Sequence, residues 1–346
     1  MAFESQGVER KEIAIMRILS DSSEAVGARV IAHRLKEHGF ELGERAVRYH
    51  LKLMDERGLT YLAGRRDGRV LTDKGVAELR SALVKDKVGF AITKIETLSF
   101  RTSYDHITRS GLVPINVSFF PQEEFDRAIR VMKPVFEAGY CTSDLVAIAP
   151  EGAQLGEVTV PMGKIGLATV CSIVFNGTLL KAGVPMDSRF GGLLQIREYR
   201  AHRFTELIDY TGCSIDPSTI FIRARMTTVN QAVTSGDGEV LANFREIPSV
   251  CRSVTEEVIA DLSEAGLHGL VIMGEPSEPV CEVPVEMNKM GIILLGGLNP
   301  VAAAEEAGIE TDNQAMSTVM EYQDLIKFQK AVTCYKGIEK LREVAS

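Results

Sequence analysis

One phrase of this chain is written twice. Glu157-Val-Thr-Val-Pro-Met-Gly-Lys-Ile-Gly166 aligns without gaps to Glu282-Val-Pro-Val-Glu-Met-Asn-Lys-Met-Gly291, and six of the ten pairs are identical. At the same offset Ala182-Gly183-Val184 matches Ala307-Gly308-Ile309. Upstream, after a two-residue adjustment, Glu137-Ala138-Gly139 matches Glu264-Ala265-Gly266, and Pro121 matches Pro248; downstream, Glu198-Tyr199 matches Glu321-Tyr322. Residues 115–205 and 242–328 therefore read as two copies of one unit. A repeat of this kind restricts the fold more than any single residue does, because each copy has to bury its apolar face against the other.

Each copy carries the same order of elements. A short strand (Ile115–Phe120 or Ala242–Ile247) ends at proline and leads to a helix near Glu123–Glu137 or Thr255–Glu264. Strands near Leu145–Ala149 and Leu270–Met273 follow, then the Glu-Val-X-Val strand. The strongly apolar strands Ile165–Cys171 and Met290–Leu295 come next. Each runs into a short helix that ends at Ala-Gly, where glycine suits a left-handed C-cap. Residues 206–241 are expected to add strands that join the halves. Two similar units leave a cleft between them that suits a small molecule.

The first eighty residues have a different character. Helices are expected over Arg10–Leu19 and Gly27–His38, the second capped by Ser22 or Ser23. A third runs over about Glu44–Arg57. Its apolar stripe is Ala46, Val47, Leu51 and Met54, and its other face carries Arg45, Arg48, Tyr49, His50 and Lys52. Tyr49 and His50 read either as contacts to bases or phosphates or as packing at the helix rim. Leu59–Leu62 and Val70–Leu71 are strand candidates around the hairpin signal Asp67-Gly68, with Arg65, Arg66 and Arg69 at the tip. A fourth helix is expected over Val76–Ser81. A basic third helix followed by a basic hairpin is the order of a winged helix-turn-helix, which offers guanidinium and amine groups to a major groove and to phosphates.

Charge separates the two regions. From Arg29 to Lys74 the chain has eleven Lys and Arg against seven Asp and Glu, a net of +4, whereas the whole chain is net -8, which leaves -12 elsewhere. A basic head on an acidic body fits a DNA-reading module on a regulatory domain. The fold class that results is α+β: a winged helix at 1–81, a linker at 82–113, and at 114–346 a mixed α/β domain of two similar subunits for effector sensing and oligomerisation. Within the linker, Phe90, Ile92, Ile95 and Leu98 fit a short strand or a helix.

Chemistry is sparse. The six histidines form no metal-ligand spacing, the six cysteines contain no CxxC pair, and no phosphate loop occurs. No metal, cofactor or catalytic residue is expected, and the thiols read as reduced. The apolar runs are too short to cross a bilayer and no secretory signal is evident, so a cytoplasmic protein is expected. For an effector, the matched strand ends are the candidates: Cys171-Ser172 with Asn176 in one copy, and Gly296-Gly297 with Asn299-Pro300 in the other. Backbone N–H groups at such helix starts receive anions, or serve as ordinary caps. Lys164 and Lys289, the repeated lysines, and Arg223 and Arg225 are further candidates to hold a diacid, with exposed turn positions as the alternative.

The repeated phrases, together with Gly296-Gly297-Leu298-Asn299-Pro300, resemble the regulatory domain of the archaeal nitrogen-regulation repressor family, and Ile13–Gly75 resembles its winged helix. The resemblance spans nearly the whole chain. It implies a repressor that binds palindromic operators of nitrogen-fixation and nitrogen-assimilation genes as a homodimer or higher oligomer and is released by 2-oxoglutarate. Two alternatives stand beside it. One is a winged-helix regulator that answers another metabolite or serves as a ligand-free dimeric adaptor; the other is a DNA-associated enzyme.

Overall fold

A computed structural model describes residues 2–22, 25–37, 39–63, 68–81 and 89–345. The chain divides into two compact units, Met1–Val88 and Gly89–Ser346.

In the first unit, α1 (Ala2–Ser20) is followed by β1 (Val26–Gly27), α2 (Ala28–Glu37), α3 (Glu44–Glu56), β2 (Thr60–Leu62), β3 (Gly68–Leu71) and α4 (Asp73–Ser81). The core is made where the apolar stripes of three helices meet: Ile15, Met16 and Leu19 of α1, Ile31 and Leu35 of α2, and Val47, Leu51 and Met54 of α3. β1, β3 and β2 form a small antiparallel sheet in that order. The winged helix expected from the sequence is present, with β1 as an additional strand. Ser22 is not a cap: its Oγ donates to the Ile18 carbonyl and accepts from Arg34 Nη1, each at 2.8 Å, so it joins α1 to α2.

The second unit opens with α5 (Phe90–Arg101), which settles the ambiguous apolar pattern of that stretch as a helix. Then come β4 (Leu112–Pro121), α6 (Phe125–Glu137), β5 (Leu145–Ala149), β6 (Gln154–Leu155), β7 (Val158–Thr159), β8 (Lys164–Val170), α7 (Ile173–Lys181), β9 (Asp187–Arg197) and β10 (Arg200–Asp209). The two helices α8 (Pro217–Arg223) and α9 (Val229–Ser235) precede the second round: β11 (Gly238–Pro248), α10 (Arg252–Glu264), β12 (Leu270–Met273), β13 (Lys289–Leu295), α11 (Asn299–Glu306) and β14 (Asp312–Glu321). β15 (Ile326–Lys327) and α12 (Phe328–Ala345) close the chain.

The repeat is real, and its copies are entwined. One sheet has the order β14-β4-β8-β5-β15 and the other β10-β9-β11-β13-β12. β9, late in the first copy, pairs with β11 of the second, while β14, late in the second copy, pairs with β4 of the first. Each copy thus gives a late strand to the other's sheet. The helices follow the same exchange, since α6 packs on α11 and α10 packs on α7. The two large clusters of buried side chains each draw from both copies, so neither copy encloses a core alone. The matched glycines Gly139, Gly183, Gly266 and Gly308 have φ of 74°, 81°, 82° and 80°, the left-handed C-cap geometry that their positions require.

Two expectations are corrected. The Glu-Val-X-Val segments are hardly strands: the first contributes only β7, paired with β6, and the second a single bridge between Val280 and Val283. Prolines Pro161 and Pro284 remove a ladder donor there. Val160 and Val283 are buried instead, and Val160 lies so close to Gly166 that a Cβ at Gly166 would come within 2.6 Å of it. Residues 210–237 form helices rather than strands, because Asp216 caps α8 by accepting from Ser218 N at 2.9 Å and Pro217 starts it.

Candidate functional site

On the head, α3 divides cleanly. Val47, His50, Leu51 and Met54 are buried, whereas Arg45, Arg48, Tyr49 and Lys52 are exposed together along one face. His50 is therefore a packing residue, and its burial lowers its pKa. Arg48 Nη2 lies 2.6 Å from Glu44 Oε1, and Lys52 Nζ lies 3.9 Å from Glu56 Oε1. Exposed pairs of this kind are weak and are readily exchanged for a phosphate. Arg69 is placed differently. Its Nε donates to Asp55 Oδ2 at 2.9 Å, and its side chain is only 19% exposed. Asp55 also accepts from Thr60 Oγ1 at 2.6 Å, so Arg69 braces the hairpin against the end of α3 instead of reaching outward. Arg65 and Arg66 lie outside the described residues.

In the second unit a pocket lies where the two copies meet. Its cavity volume is small, about 20 Å³, and it opens onto a wider unfilled space that is continuous with solvent. Part of its lining comes in matched pairs, Asn116 of β4 with Asn243 of β11 and Cys171-Ser172-Ile173 with Gly296-Gly297-Leu298, and Asp216 and Tyr210 join it from outside the repeat. Each triplet is the turn from an apolar strand into a helix, α7 in one case and α11 in the other. Two helix N-termini, each with partial positive charge, thus begin at the pocket wall. The turns pack so closely that a Cβ on Gly297 would fall 2.1 Å from the Val170 carbonyl oxygen, which is why glycine stands there.

The exact pairing breaks at Arg245, whose counterpart in β4 is Ser118. Arg245 lines the pocket and is 1% exposed, the largest fully buried side chain of the described residues. Among those residues its hydrogen-bond partners are hydroxyls and not carboxylates: Nη1 donates to Ser188 Oγ, Nη2 donates to Ser172 Oγ at 3.3 Å, and Nε has no partner. Ser188 is its cross-strand neighbour on the swapped β9. Asn243 Nδ2 donates to Ser172 Oγ at 3.1 Å, and Tyr210 donates its hydroxyl to Asn243 Oδ1. Burial pulls the Arg245 guanidinium down from its ordinary pKa and pushes the Asp216 carboxyl up. Arginine does not lose its proton in proteins, and the buried carboxyl that shares its pocket, Asp216, offsets the charge only in part, since burial still outweighs Asp216 on the guanidinium. A carboxylate placed in this pocket would supply the missing charge.

Four of the sequence candidates, Cys171, Ser172, Gly296 and Gly297, line this pocket. Cys171 is a wall residue whose thiol burial pushes up to about 11. Asn176 sits within α7 and not at its start, and its Nδ2 donates to Ser188 Oγ at 3.1 Å, one step behind Arg245. Asn299 is structural: its Oδ1 accepts from Leu241 N at 2.7 Å and its Nδ2 donates to Leu241 O at 3.0 Å. Lys164 and Lys289 begin β8 and β13, at the ends opposite the pocket. Lys289 Nζ belongs to an ion cluster with Glu246 at 3.2 Å, Glu286 at 2.8 Å and Asp187 at 3.4 Å. Arg223 and Arg225 are exposed at the end of α8 and do not line the pocket. The sequence reading missed Arg245, Asn116, Asn243 and Tyr210. An arginine inside the apolar run Val240–Ile247, and the asparagines matched at the Pro121/Pro248 offset, were the available signals.

A winged-helix head in one chain with an entwined duplicate is the make-up of a transcription regulator. Comparison with known proteins specifies it further. The family described as NrpR regulatory domains NRD1 and 2 matches residues 88–327, and the ribonuclease R winged-helix domain matches residues 13–79. The global nitrogen regulator NrpRI of Methanosarcina mazei is 42% identical over 318 residues, 92% of this chain and 98% of that protein. The global nitrogen regulator NrpR of Methanocaldococcus jannaschii is 33% identical over 93% of this chain and 56% of that protein. The chain thus spans about half of the latter. A crystal structure of a nitrogen repressor-like protein from Methanococcus jannaschii superposes with a TM-score of 0.59 at 27% identity, over 70% of this chain and 99% of that one. The chain belongs to the NrpR family of nitrogen-regulating repressors.

Proposed function

We propose that the chain binds palindromic operator DNA of nitrogen-assimilation or nitrogen-fixation genes through α3, and that 2-oxoglutarate in the Arg245 pocket releases it. The observation that carries the effector half is Arg245, a buried cation with hydroxyl partners and an idle Nε, set beside two helix N-termini. A carboxylate is the ligand chemistry that satisfies such a site. The DNA half rests on the exposed Arg45, Arg48, Tyr49 and Lys52 face, which has the length and charge of a recognition helix. Palindromic operators call for a homodimer or higher oligomer that presents two such helices. The place of action is the cytoplasm; among the described residues no helix is long and apolar enough to cross a membrane.

A second reading keeps the same architecture with a different small carboxylate as effector. Genome-wide binding of the chain in nitrogen-replete and nitrogen-starved cells tests both. Occupancy at nitrogen-assimilation promoters that is lost on starvation supports the first reading. Occupancy elsewhere, indifferent to nitrogen, overturns it.

A further inference from the structure

The helix that follows the head is seated on the pocket wall. α5 buries Ala91, Ile95 and Leu98 in a small core of its own, together with Cys171, Ile173, Tyr210, Met316 and Val319. Five of these residues, Ile95, Cys171, Ile173, Tyr210 and Met316, also line the pocket. The seat of the helix and the wall of the pocket therefore share these five side chains.

At the far end of α5, Lys181 Nζ donates to Phe100 O at 3.2 Å and Arg101 Nη2 pairs with Glu157 Oε1 at 2.7 Å. Two more polar contacts fasten its first half. Ala91 N donates to Cys213 O at 3.2 Å, and Lys94 Nζ donates to Ala315 O at 3.3 Å. Ala315 precedes Met316, which has a φ of 50° in a bulge where the pairing of β14 with β4 is interrupted between Gln314 and Thr318. Asn116 Oδ1 holds that bulge by accepting from Met316 N at 3.0 Å. A non-glycine residue in this conformation persists only where its surroundings hold it.

The pseudo-symmetry supplies an internal comparison. α9 precedes β11 as α5 precedes β4, and α9 packs on α11 as α5 packs on α7. Yet Val229 and Ala232 of α9 are sunk in a large core shared by both copies, whereas α5 has only its satellite cluster. The other part of the wall, Asn243 to Arg245 and Gly296–Leu298, belongs to the central strand β11 and to the turn from β13 into α11. A ligand that needs room would move the α5 wall first, where Met316 is the most adaptable side chain.

We propose that α5 is the transmitting element: a ligand seated at Arg245 displaces Ile95 and Met316, loosens α5, and through residues 82–88 weakens the grip of the head on DNA. The inference rests on the effector reading above, and its tests separate the two. In the full chain, with 2-oxoglutarate as the probe, hydrogen exchange over residues 90–101 is expected to quicken about fivefold or more while α10 is unchanged. Equal or slower exchange in α5 overturns the proposal.

Two variants act on the seat without touching the pocket. Leu98→Ala is expected to weaken ligand-free operator binding about fivefold or more and to tighten 2-oxoglutarate binding, because it shifts the population toward the released state. An unchanged operator affinity in a folded variant overturns the proposal even if 2-oxoglutarate proves not to be the ligand. Ala91→Cys stands beside the native Cys213. Once the disulfide is verified by mass, the oxidised chain is expected to keep its operator at saturating 2-oxoglutarate and to release it after reduction. Release from the oxidised chain at the wild-type concentration overturns the proposal. Absence of calorimetric 2-oxoglutarate binding to wild type would instead sink the effector reading.

Discussion

Ser172 and Arg245 come from opposite repeats and meet through a buried hydrogen bond of 3.3 Å in the wall of a shared pocket. Ser172 precedes α7 and Arg245 lies on β11, so the contact exists only because the two copies are folded into each other. The same serine hydroxyl accepts from Asn243, which leaves the guanidinium loosely held and open to a stronger acceptor.

Replacing Arg245 tests whether it is an anion anchor or a structural cation. Arg245→Met keeps the length and removes the charge. A charge-assisted hydrogen bond contributes about 1.5–3 kcal/mol, so 2-oxoglutarate binding measured by calorimetry should weaken about 10- to 150-fold. The melting temperature without ligand should hold or rise, because an under-compensated buried charge is gone. A sharp fall in ligand-free stability with ligand affinity intact would assign Arg245 to the fold alone.

On the head, Arg48→Ala and Lys52→Ala should each weaken operator binding. If each neutralises one phosphate, each should reduce the slope of log affinity against log salt by about 1. Arg69→Ala should behave otherwise. It removes the brace to Asp55, so the unfolding midpoint of the head should drop with little change in salt slope. An anisotropy titration over a range of salt, with thermal unfolding in parallel, separates the two behaviours.

The winged helix was legible because its signals are local. The α3 stripe and its basic face recur with helical spacing, and Asp67-Gly68 marks the hairpin. What was not legible is reach. Arg69 and Arg48 look alike in sequence, but only the fold brings Asp55 to Arg69. In the second unit, the repeat phrase identified both copies and placed Cys171-Ser172 and Gly296-Gly297 as matched strand ends. The exchange of β9 and β14 left no local trace, because either sheet presents the same apolar face to a donated strand. Arg245 was hidden for the same reason: its partner Ser188 lies on the strand received from the other copy.

The exchange predicts one cooperative transition for the second unit. Asn299→Ala would leave the Leu241 N–H without its buried partner, at a cost of about 1–3 kcal/mol, while the Leu241 carbonyl keeps its bond from Gly296 N at 2.8 Å. Denaturant unfolding should shift to a lower midpoint while remaining a single step for that unit. A half-unfolded plateau, with one repeat lost and the other retained, would contradict the shared core.

Asp216 gives a pH dependence with a definite sign. Burial raises its folded pKa above the ordinary aspartate value of 3.8. The folded state therefore holds its proton more tightly, so this contribution is full below the ordinary value and is lost as pH rises through the raised one. Asp216→Asn retains a good N-cap for α8 and has no such titration. Comparing unfolding free energies of wild type and Asp216→Asn across the mildly acidic range should show wild type losing ground as pH rises. Parallel curves would contradict the assignment.

The central claim is that a carboxylate bound at Arg245 sets the grip of the head on DNA. The direct measurement is operator release by increasing 2-oxoglutarate, followed in parallel for wild type and Arg245→Met. Wild type should release its operator, and the variant should bind the same DNA and hold it through the concentrations that free wild type. Release of both proteins at the same midpoint would contradict the account.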